Sequence, residues 1–277
     1  MTTHVGRGEH FRSASWLERT VERLRGGGSR QAPAALRRIH ELVLDLMPGD
    51  HLVSTLPGGE RVRLSARYRH LSWNPEEYEA FRTAVRPGST VLDVGANIGP
   101  YALLFAQWAG PTGRVIAFEP APDSVAGLRE QLRLNDLSDR VEVVQSAVAD
   151  VVGSASFACD GVSGSNAIVT AATGVRLITV ATISIDAFCA GHGVRPDVIK
   201  IDVEGAELDV LRGARHTLAA SPVDVFMELH PAAWASRGFT GDAIRTELAA
   251  QGLVPEPLKP SIDIWKTEGI CVRLRRA

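Results

Sequence analysis

Two short stretches of this chain each carry ionisable residues two positions apart: Asp202 and Glu204 in "KIDVEGAE", and Glu228 and His230 in "MELHP". Both follow apolar runs with strand character, and in a β-strand residues i and i+2 project to one face. If the two strands are neighbours, three carboxylates and an imidazole meet in one place. Such a group can deprotonate a weakly nucleophilic hydroxyl, with His230 as general base oriented by Asp202 or Glu228. The alternative is a magnesium-like cation (Mg2+) held by Asp202, Glu228 and His230, which would bring the hydroxyl close and lower its pKa. No spacing here is diagnostic of a metal, so the metal-free base is the preferred expectation. Lys200 alternates with Asp202 and Glu204 and is expected to pair with one of them. Glu207 reads as a first-turn helix residue favoured by the dipole, or as a further member of the acidic group.

A second set of residues points to a ligand. "VLDVGANIGPYALLFA", residues 91–106, passes from an apolar strand through a glycine-containing turn into a helix. In doubly wound folds ligands lie beyond the carboxyl ends of the strands, at such turns. The spacing is GxxxG, with Gly95 and Gly99. Asn97 stands where the dinucleotide fingerprint GxGxxG needs its second glycine to admit a pyrophosphate. Asp93 would oppose an anionic pyrophosphate and attract a sulfonium or ammonium group. Glu119 ends the next strand, where a carboxylate can accept hydrogen bonds from both ribose hydroxyls. The pair Asp93 and Glu119 therefore favours S-adenosylmethionine over NAD.

The elements that must position these residues follow from the hydrophobic pattern. "TVLDVG", "RVIAFEP", "RVEVVQSAV", "DVIKIDVEG" and "VDVFMELH" read as strands. Helices are predicted over residues 98–108, 122–134, 206–218 and 242–251. The alternation predicts an α/β fold with a doubly wound, mainly parallel sheet. "SASFACD" and "VRLITVAT" form a local insertion, and "SIDIWK" with "GICVRLRR" a terminal hairpin that makes the sheet mixed. Upstream, "SWLERTVERLR" suggests an amphipathic helix with Trp16, Leu17, Val21 and Leu24 on one side, available for packing or dimer contact, or a loosely held leader. A second helix starts near Pro33, "ERVRLSARYRHLS" is a strand or hairpin, and "NPEEYEAFRTAV" is a helix.

The 277 residues, 45% apolar and 22% charged with a formal net charge of -2, have the balance of a soluble globular protein. Neither a basic nucleic-acid surface nor a disordered chain is suggested. Cys159, Cys189 and Cys271 show no CxxC spacing, so neither a disulfide framework nor a zinc ribbon is expected. "MTTHVGRGEHFRSASW" lacks the apolar core of a signal peptide, and no run of about 18 apolar residues occurs. A cytoplasmic location is the expectation.

The ordered set of motifs resembles class I S-adenosylmethionine-dependent methyltransferases, and more narrowly the FkbM family of O-methyltransferases. "VLDVGANIGPYALLFA", "VIAFEPAPDSVAGLREQLRLN", "ISIDAF", "VIKIDVEGAELDVLRGA" and "VFMELHP" carry the likeness, from about Asn74 to Pro231. The resemblance implies a seven-stranded sheet and a methyl donor at the first two strand ends. It implies a hydroxyl of a sugar, glycoside, polyketide or other natural-product scaffold as acceptor. Asp93, Gly95, Asn97 and Gly99 would then contact the donor, Glu119 its ribose, and Ser146 and Ala147 its adenine. Asp150 reads as a turn residue. The chain divides into an N-terminal extension, residues 1–73, helical and then strand or hairpin, and a methyltransferase domain, residues 74–277. The extension would bind acceptor or a second subunit of a homodimer. The rivals are a Rossmann-type oxidoreductase and a catalytically inactive binding module. A nucleic-acid methyltransferase is disfavoured, because "NPEEY" precedes the donor motif and lacks the NPPY form.

Overall fold

A computed structural model of the chain describes residues 51–68, 71–159, 176–220, 222–260 and 262–277, together with the short strands Phe11–Arg12 and Ala167–Ile168. The two helices expected upstream of residue 50 lie outside the described residues, as do residues 160–166 and 169–175.

In chain order the strands are β1 (Phe11–Arg12), β2 (His51–Thr55), β3 (Arg61–Ser65), β4 (Ser72–Trp73), β5 (Thr90–Val94), β6 (Arg114–Phe118) and β7 (Val141–Val144). They continue as β8 (Ala147–Val148), β9 (Gly153–Cys159), β10 (Ala167–Ile168), β11 (Arg176–Ile183), β12 (Val198–Ile201), β13 (Asp224–Leu229), β14 (Leu253–Pro257) and β15 (Ile270–Arg276). Seven of them make the main sheet, in the order β14-β15-β13-β12-β5-β6-β7. The run from β13 to β7 is parallel, and β15 is antiparallel to both of its neighbours. The expected doubly wound, seven-stranded, mostly parallel sheet is therefore present.

Continuous apolar runs suit strands covered on both faces. The two-residue period sends Leu92, Val94, Ile116, Phe118, Ile199 and Ile201 into one core. Val91, Val115, Ala117 and Val198 go into the other. Each fully buried valine, leucine, isoleucine or phenylalanine among them stabilises the fold by ~1.5–3 kcal/mol. By the same alternation Asp93 and Lys200 share the second face, and they stand opposite each other in the β5–β12 register. That face is covered by helices Pro75–Ala84 and Pro100–Ala109. Phe81 of the first meets Tyr101, Phe105 and Phe226 edge-on, at 4.9, 5.6 and 5.0 Å. Hairpin β2–β3 joins this core through Val62 and Leu64, and Ser65 N–H donates to Gln131 Oε1 at 3.0 Å.

Four elements differ from expectation. The run "RVEVVQSAV" splits at Gln145–Ser146: β7 stays in the main sheet, while β8 pairs with β11 in a second sheet, β10-β9-β11-β8. The expected helix over 206–218 is two, Glu207–Arg212 and Arg215–Ala220. At Gly213 between them a Cβ would come within 2.2 Å of Ala149 O, so the break lets two backbones touch. Helix Ile185–His192 was not anticipated, although Ser184 caps its start and Gly193, with φ of 61°, ends it. Finally, β15 pairs with Leu253–Pro257 rather than with "SIDIWK", of which residues 264–266 form a turn. Pro255 and Pro257 hid that strand from a pattern reading; an edge strand accepts them because its outer N–H groups need no partner.

Candidate active site

The turn after β5 is held by its own backbone. Gly95 and Ala96 N–H both donate to Phe118 O at 3.0 Å, and Asn97 N–H donates to Glu119 Oε2 at 2.8 Å. Three successive donors are thus engaged within the protein, and none of them is left to cradle a phosphate. Gly95 has φ of 81°, and a Cβ there would fall 1.7 Å from Asp202 O. The turns after β5 and β12 therefore pack backbone to backbone, as only glycine permits. Gly99, φ 87°, caps the following helix against Leu128 and does not line the cleft.

Beside these turns lies an open cleft, of which about 180 Å³ admits water-sized groups. Gly95, Asn97, Glu119, Ser146, Ala147, Asp202 and Glu204 line it, with an apolar wall of Phe118, Val148, Phe157 and Ile168. Phe157 and Ile168 come from β9 and β10, so the insertion supplies one side of the pocket. Glu119 is anchored at both oxygens, the second accepting from Ala121 N–H at 2.8 Å, and burial pushes its pKa up to about 7. Asn97 adopts φ of 49°, and its Oδ1 is buried without a partner. An orphaned acceptor in a cleft suits a ligand that brings a donor.

Asp93 was expected to meet the ligand directly. It is 0% exposed and lies on the far side of the strand end, 3.5 Å from Lys200 Nζ. Burial raises its pKa, and the Asp202 charge adds to this against the pull of Lys200. Lys200 reaches Asp202 at 3.3 Å as well, so it bridges two acids; its own pKa is raised by Asp202 and Asp93 despite burial.

The two acid-bearing stretches do converge, though not by strand alternation. β12 ends at Ile201, and Asp202 and Glu204 lie in the turn that follows, where Glu204 takes φ of 48°. That conformation is strained for a non-glycine residue, as is common at functional sites. His230, 4% exposed, sits among four carboxylates. Its Nε2 is 3.5 Å from Glu228, 3.7 Å from Glu204 and 3.8 Å from Asp202, and its Nδ1 is 2.8 Å from Glu207. Burial alone would lower its pKa. The bonds to Glu207 and Glu228, with the charge of Asp202, outweigh that and hold it at about 11. A ring protonated at neutral pH has no lone pair to accept a proton, which counts against His230 as general base. Among the carboxylates around His230, Glu204 is near neutrality: burial raises its pKa to about 7, with His230 opposing and Asp202 and Glu228 adding.

Asp202, Glu228 and His230 each offer an atom within 4.8 Å of the others, the spacing a metal site needs. Here Lys200, and His230 when protonated, supply positive charge to Asp202. Glu207, fully buried, is the member of the cluster least visible in the sequence, since a first-turn glutamate has an ordinary role as well.

The strand order, the reversed β15 and a cleft at the ends of β5, β6 and β12 define a class I methyltransferase-like fold. The methyltransferase FkbM domain matches residues 93–254, more than half of the chain, and the chain belongs to that family. It is 33% identical over 143 residues to hexuronic acid methyltransferase AglP of Haloferax volcanii, covering 50% of this chain and 54% of that one. With 31-O-demethyl-FK506 methyltransferase FkbM of Streptomyces tacrolimicus it shares 46% identity over 69 residues, 25% of each chain. The chain thus spans about half the length of the first relative and a quarter of the second. The crystal structure of methyltransferase FkbM from Methylobacillus flagellatus aligns with a TM-score of 0.46 at 16% identity, over 69% of this chain and 44% of that one.

Proposed function

We propose that this chain is an S-adenosylmethionine-dependent O-methyltransferase acting on a hydroxyl of a small molecule, a sugar or natural-product scaffold. The observation that carries the reading is the turn at residues 95–97: its N–H groups are used internally, and Asn97, which lines the cleft, keeps a buried Oδ1 without a partner. Such a turn is poorly suited to a pyrophosphate, which counts against the dinucleotide oxidoreductase, and well suited to an ammonium donor. The names of the two relatives, one a hexuronic acid methyltransferase and one a 31-O-demethyl-FK506 methyltransferase, support a sugar or scaffold acceptor.

Asn97 and Gly95 would hold the methionine end of the donor, Glu119 the ribose, and Ser146, Ala147 and the Phe157 wall the adenine. When bound, S-adenosylmethionine supplies a methyl group activated by a sulfonium. Glu204, which lines the cleft, accepts the hydroxyl proton as the oxygen–methyl bond forms. His230 and Lys200 hold Asp202 and Glu204 in place by charge, so the reaction needs no metal. Residues 74–277 form the catalytic unit on this reading, located in the cytoplasm, with residues 1–73 contacting the acceptor or a second copy.

Mass spectrometry of candidate glycosides and polyketides incubated with isotope-labelled donor tests the proposal. Transfer of one labelled methyl to a hydroxyl is expected. Tight NAD binding in calorimetry with no response to S-adenosylmethionine would overturn it.

A further inference from the structure

Asp93 is 0% exposed at the end of β5, and the cation that reaches it is the buried Lys200, 3.5 Å away and directly opposite in the β5–β12 register. Lys200 Nζ turns its other side to Asp202, donating to Oδ2 at 3.3 Å, and lies over the Tyr101 ring at 5.7 Å. With Oδ2 engaged, Oδ1 is the oxygen that faces His230 Nε2, at 3.8 Å. The Asp202 backbone is fixed to the same strand end: its N–H donates to Val94 O at 2.9 Å, and its carbonyl packs on Gly95. We propose that Asp93 is a positioning residue that acts through Lys200 to set the rotation of the Asp202 carboxylate, and that it serves the acid turn rather than the methyl donor.

The two acids around Nζ are not equivalent. Asp93 stands on a strand that is paired on both sides, with β12 and β6, whereas Asp202 stands on the turn that follows β12. Backbone contacts place the Asp202 main chain but leave its carboxylate free to rotate, because the last torsion of an aspartate is broad and has no sharp wells. A cation on one oxygen supplies the missing restraint. That cation is useful only if it is itself immobile, and Asp93 holds it from a rigid element, as a supporting residue behind a functional group must. The restraint acts on Oδ2, so it is the same whether a proton or a cation lies between Oδ1 and His230. Asp93 is not among the residues that border the cleft, while Asp202 is. The strand-end acid therefore reaches the chemistry through two side chains and touches no ligand.

This inference rests on the methyltransferase reading for its kinetic arm but not for its crystallographic one. Lys200→Met alone would strand a charged Asp93 in the core, so the decisive variant is Asp93→Asn/Lys200→Met, which removes both charges at nearly unchanged volume. Crystal structures of the full chain are expected to show a single Asp202 carboxylate orientation in the wild type and a turned or divided one in the double variant. Calorimetry should give a Kd for S-adenosylmethionine within about twofold of wild type, while kcat falls about 10–100-fold with the donor KM unchanged. Asp93→Asn alone should give the same split in smaller measure, and it carries both measurements if the double variant fails to fold. An Asp202 carboxylate that keeps its orientation without the pair would overturn the proposal. So would wild-type turnover by the double variant, since Asp93 and Lys200 would then do no more than neutralise each other. Loss of donor affinity in Asp93→Asn would overturn it as well, by returning Asp93 to the donor. A turned Asp202 carboxylate in the variant, with no methyl transfer by the wild type to any acceptor, would instead overturn the proposed function alone.

Discussion

Loops 95–99 and 202–206 touch backbone to backbone, Gly95 against the Asp202 carbonyl, yet they meet the cleft with opposite materials. The first spends its N–H groups on Phe118 and Glu119 and offers a carbonyl oxygen and bare glycine surface. The second offers Asp202 and Glu204, beside a buried lysine and the buried His230 ring. Both depend on left-handed residues, Gly95, Asn97 and Gly99 in one, Glu204 and Gly205 in the other. The difference suggests that shape selects the donor, while charge prepares the acceptor. It also separates the two experimentally.

Gly95→Ala should damage both sides together. Its left-handed conformation costs on the order of 1–3 kcal/mol for alanine, and the overlap with Asp202 O forces the loops apart. A lowered unfolding temperature with loss of both donor binding and turnover is expected; intact binding by calorimetry would show that the loops are independent. Glu204→Gln should spare the first loop and lower kcat by about 10²–10⁴-fold, leaving donor affinity near wild type. Unchanged turnover would remove Glu204 as the base. Glu119→Leu is the mirror case: donor affinity should weaken roughly 10–100-fold, the equivalent of about 1.5–3 kcal/mol for hydrogen bonds to a charged group. If instead kcat at saturating donor collapsed, the division between loops would fail.

Acidity separates the loops more gently. Glu204 must be ionised to accept a proton, so kcat should rise about tenfold from pH 6 to pH 8 around its pKa of about 7. No fall should follow up to pH 9, because His230 stays charged. Stability should run the other way: the folded pKa of His230 lies above its unfolded value, so its contribution is complete below about pH 6.5 and fades as pH rises toward 11. Melting of His230→Asn across pH should lack that part of the slope. The smallest expected effect is that of a chelator. Transfer should be unaltered, and a metal-restored activity would return Asp202, Glu228 and His230 to the role of ligands.

The contrast between loops also explains what could be read in the sequence. Apolar runs such as Val91–Val94 and Val198–Ile201 announce a parallel sheet because both faces are buried, and their spacing places the turns. Gly95 and Asn97 mark the first turn because backbone shape leaves a residue-type signature. Charge leaves none of that kind: the convergence of Asp202 with His230 was expected from strand alternation, but a turn produces it. Asp93 shows the limit most clearly. Its position at a strand end was legible, and alternation puts it on the face of Val91, but its partner there, Lys200, is a cross-strand neighbour more than a hundred residues away. The insertion strands were visible as elements, but nothing in their pattern announced that Phe157 and Ile168 would wall the cleft.

Strand β14 closes one side of the main sheet, and its two prolines fall at alternate positions, opposite Leu274 and Val272 of β15. An antiparallel edge directs every second amide outward, and proline has no amide proton to give. A foreign strand laid along this border would find two consecutive rungs of the ladder missing. Covalent chemistry thus stops the sheet from growing by strand addition at these two rungs.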